Sequence, residues 1–142
     1  MGIVIQSTTK TRSYDKVIEL QLLNKANGQT VWKREMPYTS YGQVIASDND
    51  LVYVKVDHPA GYTFIELHAL QVSSGVELWY KKFKEGFCLE CLELKSDDDK
   101  VFVQEEWLGR CYLVALDKKN GSTVWENQDI GSTHPIMVLS TL

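Results

Sequence analysis

One spacing constrains this chain more than any other: a glycine followed four residues later by a tryptophan, three times in one register. The first copy reads Leu-Leu-Asn-Lys-Ala-Asn-Gly-Gln-Thr-Val-Trp over residues 22–32. The second reads Ala-Leu-Gln-Val-Ser-Ser-Gly-Val-Glu-Leu-Trp over residues 69–79. The third reads Ala-Leu-Asp-Lys-Lys-Asn-Gly-Ser-Thr-Val-Trp over residues 115–125. Before each glycine, apolar residues alternate: Ile18, Leu20 and Leu22, then Ile65, Leu67 and Ala69, then Cys111, Leu113 and Ala115. A period of two is that of a strand with one covered face. The pairs Asn27-Gly28, Ser74-Gly75 and Asn120-Gly121 mark tight turns whose glycine takes a positive φ. Asn24 and Asp117 stand where a side-chain oxygen accepts turn N–H groups, while Gln71 fits that position less well. Each copy is therefore a hairpin with the tryptophan on its second strand.

The tryptophans recur after 47 and then 46 residues. Two further strands fit ahead of each full hairpin. In the middle copy they cover residues 43–47 and 51–57, around the turn Asp48-Asn49-Asp50. In the last copy they cover residues 87–95 and 101–106, around residues 96–99. No segment has the periodicity or start signals of a helix. A period in the forties with four strands per repeat is that of a β-propeller blade. The expected fold class is all-β, as four-stranded antiparallel blades.

These segments resemble the Ala-x-Asp/Asn-x-x-x-Gly-x-x-x-Trp pattern of PQQ-like, tryptophan-docked β-propeller repeats. The third copy matches throughout. The second has Gln71 in place of Asp or Asn, and the first has Leu22 in place of Ala. The resemblance implies that Trp32, Trp79 and Trp125 lie between neighbouring blades. Gly28, Gly75 and Gly121 would let the next blade approach. It also implies a broad choice of functions, from quinoprotein dehydrogenases to an outer-membrane assembly lipoprotein and lumenal stress sensors, and fold alone does not choose among them.

The chain reads as a single repeat domain over residues 1–142. Blade 1 occupies 1–40 with strands B, C and D, of which B covers residues 2–7. Blade 2 occupies 41–86 and blade 3 occupies 87–134. A closing strand A follows at 135–142 and could complete the first blade. About three blades fall short of the roughly 4–8 of ordinary propellers. The chain is then either a homo-oligomer that completes the ring or an arc of a longer propeller.

The 142 residues carry a formal charge of −4, with 15 Lys and Arg against 19 Asp and Glu. Without a basic cluster, nucleic acid is not an expected partner. No apolar run reaches the roughly 20 residues of a membrane helix. The first residues lack a signal-peptide pattern, so the expectation is a cytoplasmic chain, or an exported one if it is part of a longer protein. The odd count of three cysteines argues against a complete disulfide framework.

Candidate chemistry is sparse. Cys88 and Cys91 have CxxC spacing, but on a strand residues i and i+3 point to opposite faces, and Cys111 lies on another strand. The three read as ordinary strand cysteines. Asp48-Asn49-Asp50 and Asp97-Asp98-Asp99 lack the glycine and closing glutamate of a calcium loop and read as turn residues. His58, His68 and His134 read as surface or rim residues. The adjacent cysteines that many quinoproteins place beside their cofactor are missing, so no catalytic residue, metal or cofactor is expected. Tyr38, Tyr41, Tyr62, Trp107 and Arg110 fall in or near loops and are candidate interface residues. The expected function is a non-catalytic scaffold that binds or assembles a protein or peptide. The alternatives are part of a quinoprotein dehydrogenase-like enzyme, or a non-functional gene fragment.

Overall fold

The computed structural model describes residues 3–12, 15–36, 42–57, 65–83, 93–107 and 110–128. Strands Ile3–Arg12 (β1), Asp15–Asn24 (β2) and Thr30–Met36 (β3) form a three-stranded antiparallel sheet in chain order. Gly42–Ser47 (β4), Leu51–Asp57 (β5), Ile65–Gln71 (β6) and Glu77–Lys82 (β7) form a four-stranded one. Glu93–Ser96 (β8), Lys100–Trp107 (β9), Arg110–Asp117 (β10) and Thr123–Gln128 (β11) form another. The fold is all-β, with antiparallel sheets of the blade type. No helix among the described residues is long and apolar enough to cross a membrane.

Two strands differ from their sequence expectation. β1 runs five residues past Ser7, pairing with β2 from Ile3↔Asn24 to Arg12↔Asp15. The added stretch holds Thr8, Thr9 and Thr11, β-branched residues that favour strands without an apolar alternation to mark them. β8 covers only Glu93–Ser96 of the expected strand over 87–95, because residues 84–92 lie outside the described residues. Cys88, Cys91 and the tail strand over 135–141 lie outside them as well.

The glycine–tryptophan spacing has a common geometry in all three sheets. Each glycine has a positive φ, +72° at Gly28 and +74° at Gly75 and Gly121. Its N–H donates to the carbonyl four residues back: Asn24, Gln71 or Asp117. Asn24 Oδ1 and Asp117 Oδ1 accept the N–H two residues on, each at 2.8 Å. Gln71, one methylene longer, instead accepts the Ser74 hydroxyl at 3.1 Å. Past the turn, a β-bulge shifts the register by one residue. Leu22 opposes Trp32 while Leu23 opposes Thr30, and the same step occurs at Ala69–Trp79 and Ala115–Trp125. Val31, Leu78 and Val124 are the extra residues.

The sheets pack face to face through two apolar seams. In the first, Leu20, Leu22 and Met36 meet Val52, Val54, Val56, Leu70 and Val72. In the second, Leu51, Tyr53, Leu67, Ala69 and Trp79 meet Leu94, Val101, Val103, Val114 and Leu116. The middle sheet is thus covered on both faces. That accounts for the nearly unbroken apolar run of β5, in which all of residues 51–56 are buried.

Candidate functional site

The two inner tryptophans sit over glycines of the following sheet. A Cβ added to Gly75 would lie 2.7 Å from Trp32 Cε3, and one added to Gly121 would lie 2.5 Å from Trp79 Cε3. No side chain fits at such a separation. Trp32 Nε1–H donates to the Val72 carbonyl at 2.7 Å, and Trp79 Nε1–H to the Lys118 carbonyl at 2.8 Å. In both cases the acceptor lies three residues before the glycine. The residue two past each tryptophan adds a tie: Arg34 Nη1 to the Gly75 carbonyl at 2.9 Å, and Lys81 Nζ to Thr123 Oγ1 at 2.8 Å.

The outermost members of the repeat differ. Trp125, expected between sheets, is 41% exposed and leans on Phe102 of its own sheet, against 6% exposure for Trp79. Gly28 has nothing among the described residues within 4 Å of an added Cβ. Among the described residues, one end of the stack thus presents a partly exposed indole and the other an open glycine turn.

A polar cluster ties the middle sheet to the third. Asp48 Oδ2 accepts the Tyr53 hydroxyl at 2.9 Å, the Ser96 hydroxyl at 2.7 Å and Lys118 Nζ at 3.1 Å. Lys118 Nζ also reaches Asp50 Oδ2 at 3.1 Å and the Asp97 carbonyl at 3.2 Å. Burial alone would raise the Asp48 pKa. Hydrogen bonds from the Leu51 N–H, Ser96, the Asp50 N–H and Lys118 outweigh it and hold the carboxyl down at about 2. Burial and the Asp48 charge push the Tyr53 phenol up. Burial opposes the charge on Lys118, yet Asp48 and Asp50 raise its pKa overall. The turns themselves are Asx turns: Asp48 Oδ1 accepts from Asp50 and Leu51, and Asp97 Oδ1 from Asp99 and Lys100.

The pH consequence has a definite sign. A depressed carboxylate pKa contributes stability above its ordinary 3.8 and loses it as pH falls through about 2. Asp48→Asn is therefore expected to cost about 1–2 kcal/mol at neutral pH, after allowing for solvent screening. It should also flatten the stability loss between pH 4 and 2. Urea unfolding at stepped pH measures both, and an unchanged acid limb would exclude the assignment.

His68 corrects an expectation. The sequence places it at the surface or rim, and it is fully buried. Its face of β6 is shared with Leu70 and lies under the first sheet. Nε2 lies 2.9 Å from Glu66 Oε2, Nδ1 faces the Glu77 carboxylate, and the ring stacks on Tyr80 at 5.4 Å. Both nitrogens are engaged by side chains of β6 and β7, which makes the ring a tie between these strands.

Of the candidate interface residues, Tyr38, Tyr41 and Tyr62 lie outside the described residues, as do His58 and His134. Trp107 and Arg110 pair across the β9–β10 connection. Sequence reasoning missed another surface. The bulge residues Val31, Leu78 and Val124 are 53%, 42% and 49% exposed, on strands that end their sheets. Tyr80 and Val76 are exposed beside Leu78. The available signal was an apolar residue directly before each tryptophan in all three copies. A shallow cavity of about 240 Å3 lies close by, lined by Asp50, Leu51, Leu78, Asp98, Lys118 and Lys119. No group of three or more His, Cys, Asp or Glu among the described residues is placed to hold a metal ion.

A family model described as outer membrane protein assembly factor BamB matches residues 17–142 of the chain. No curated protein matches it.

Proposed function

We propose, from the fact that this chain belongs to the PQQ-like β-propeller repeat family of the outer membrane protein assembly factor BamB, that it is a non-catalytic scaffold whose sheet edges bind a protein or peptide. The observation that carries this reading is the repeated exposure of Val31, Leu78 and Val124 on β3, β7 and β11. A water-facing apolar side chain at one repeat position gains little from folding, and one on each end strand suits an extended apolar segment added to that strand. β3, β7 and β11 end their sheets among the described residues, and an end strand offers main-chain partners to such a segment. The family's name speaks of assembly, which is in keeping with a binding role.

In the same reading, Trp32 and Trp79, with Gly75 and Gly121, are structural docking residues that hold the edges in fixed relation. The short Trp–Gly approach and the indole-to-carbonyl hydrogen bonds support this. Docking of this kind makes the scaffold stiff, which lowers the cost of ordering a bound peptide.

The test selects peptides from a random displayed library on the wild-type chain. Binders are expected to weaken about tenfold or more on Leu78→Asp or Val124→Asp, as for truncated interface anchors, with far-UV circular dichroism unchanged. Titration with PQQ and Ca2+ is expected to leave the absorbance unaltered. Saturable quinone binding at one per chain would favour the dehydrogenase-like alternative and overturn this one.

A further inference from the structure

The two end faces of the stack carry the two halves of one joint. We propose that the Trp125 face of this chain docks onto the Gly28 face of a second copy, and that two copies close head to tail into a ring of six sheets. The inference rests on the docking role proposed above for the tryptophans, and not on the peptide-binding role.

Position by position, the two ends match the two joints inside the chain. Each inner joint has a tryptophan, a glycine beneath it and a carbonyl three residues before that glycine. At the ends, Trp125 is the uncovered indole, Gly28 the open glycine and Lys25 the residue with the matching carbonyl. Gly28 has the φ of Gly75 and Gly121, +72° against +74°. The seat is formed, and among the described residues nothing occupies it within 4 Å. The residue two past the tryptophan also has its counterpart. Lys81 reaches Thr123, two past Gly121; Asn127 stands two past Trp125, and Thr30 two past Gly28.

Charge supplies an independent match. Between the middle and third sheets, Lys118 is held by Asp48 and Asp50 of the preceding sheet. Lys25 occupies the Lys118 position in the first sheet, and it is exposed. Asp97 and Asp99 occupy the Asp48 and Asp50 positions in the third, with the same Asx-turn hydrogen bonds. Across a third–first joint, Lys25 of one copy would meet Asp97 and Asp99 of the other. The inner joint of the first sheet lacks this pair, since Val72 stands at the lysine position and packs in the apolar seam. The lysine–aspartate pairing is thus present at the second inner joint, and its two halves, Lys25 and the Asp97–Asp99 turn, stand at opposite ends of the stack.

Face and counter-face differ, so the contact is heterologous and must close or grow into a filament. Two copies give six sheets, within the roughly 4–8 that propellers close with. Closure buries the Trp125 indole of each copy.

Sedimentation equilibrium of the 142-residue chain is expected to give twice its 16.2 kDa mass at micromolar concentration. Trp125→Ala should raise the dimer dissociation constant by about a hundredfold or more, as for a lost tryptophan anchor. Gly28→Asn should do the same. Asparagine tolerates a positive φ and has open space in the monomer, yet its Cβ fills the seat. Mixing the two variants should restore a one-to-one heterodimer, because one joint is intact in the mixed pair. Lys25→Glu and Asp99→Lys should each weaken the dimer, and the double variant should recover it. A wild-type chain that stays monomeric up to millimolar concentration would overturn the proposal. So would a dimer indifferent to Trp125→Ala and Gly28→Asn, or failure of the mixed variants to associate. If Trp79→Ala leaves stability unchanged, the docking role itself is lost; if only the end-face variants are silent, docking stands and the second copy does not.

Discussion

Trp79→Ala is expected to lower the stability of the chain by about 3–5 kcal/mol, the usual cost of truncating a buried tryptophan. Its indole is 6% exposed, sits over Gly121 and donates to the Lys118 carbonyl. It packs at the centre of the seam between the middle and third sheets, with Tyr53 tilted against it at 6.5 Å. Truncation leaves a cavity between two rigid sheets and a carbonyl without its donor. Neither loss is repaired by local collapse, because Gly121 cannot extend into the space. Trp125→Ala provides the internal control in the monomer. Its ring is 41% exposed and touches Phe102 of its own sheet, so the cost should be about 1 kcal/mol. Urea unfolding followed by far-UV circular dichroism measures both at a protein concentration where the chain is monomeric. Equal costs at the two positions would mean that the seam does not depend on the indole.

The second large effect comes from a methyl group. Gly28, Gly75 and Gly121 share a positive φ, so alanine at any of them meets the left-handed penalty of about 1–2 kcal/mol. At Gly28 nothing is added to that penalty, since no atom of the described residues lies within 4 Å of the new Cβ. At Gly121 the Cβ would lie 2.5 Å from Trp79 Cε3 and 2.7 Å from Cδ2, both atoms of a ring fixed by its hydrogen bond. The sheets must part or the indole must leave its seat. Gly121→Ala is therefore expected to cost at least about 2 kcal/mol more than Gly28→Ala, in the range for overpacking a filled site. Gly75→Ala should behave like Gly121→Ala, because Trp32 Cε3 stands 2.7 Å away. Thermal unfolding of the three alanine variants under one set of conditions compares them. A Gly121 variant as stable as the Gly28 variant would show that the close approach is not needed.

The Asp48 cluster and the His68 tie illustrate why candidate chemistry was hard to read along the chain. Asp48 and Asp97 were legible as turn residues from their neighbours alone, and both turns form through local Asx bonds. The contact that sets Asp48 apart comes from Lys118, seventy residues away, and from Ser96. Nothing local marks it. His68 alternates with apolar residues on β6 in a way that suits a half-exposed strand. Its burial follows from the first sheet covering that face, and Glu66 and Glu77 then supply its partners. Val31, Leu78 and Val124 were hidden for the opposite reason. On a strand each faces away from its tryptophan, and whether that face is covered depends on which strand ends the sheet, which the chain does not announce.

What the residues determined unaided is local and periodic. Alternation and β-branching produced the strands, a glycine able to take positive φ closed each hairpin, and the repeat made the three sheets alike. Those forces act over a few neighbours and give the same answer in every copy. Trp79 and Trp125 sit in motifs that differ little, yet one is buried and the other faces water. That difference was decided by the tertiary structure, because covering an indole takes a second sheet, and whether one lies against it depends on contacts far along the chain.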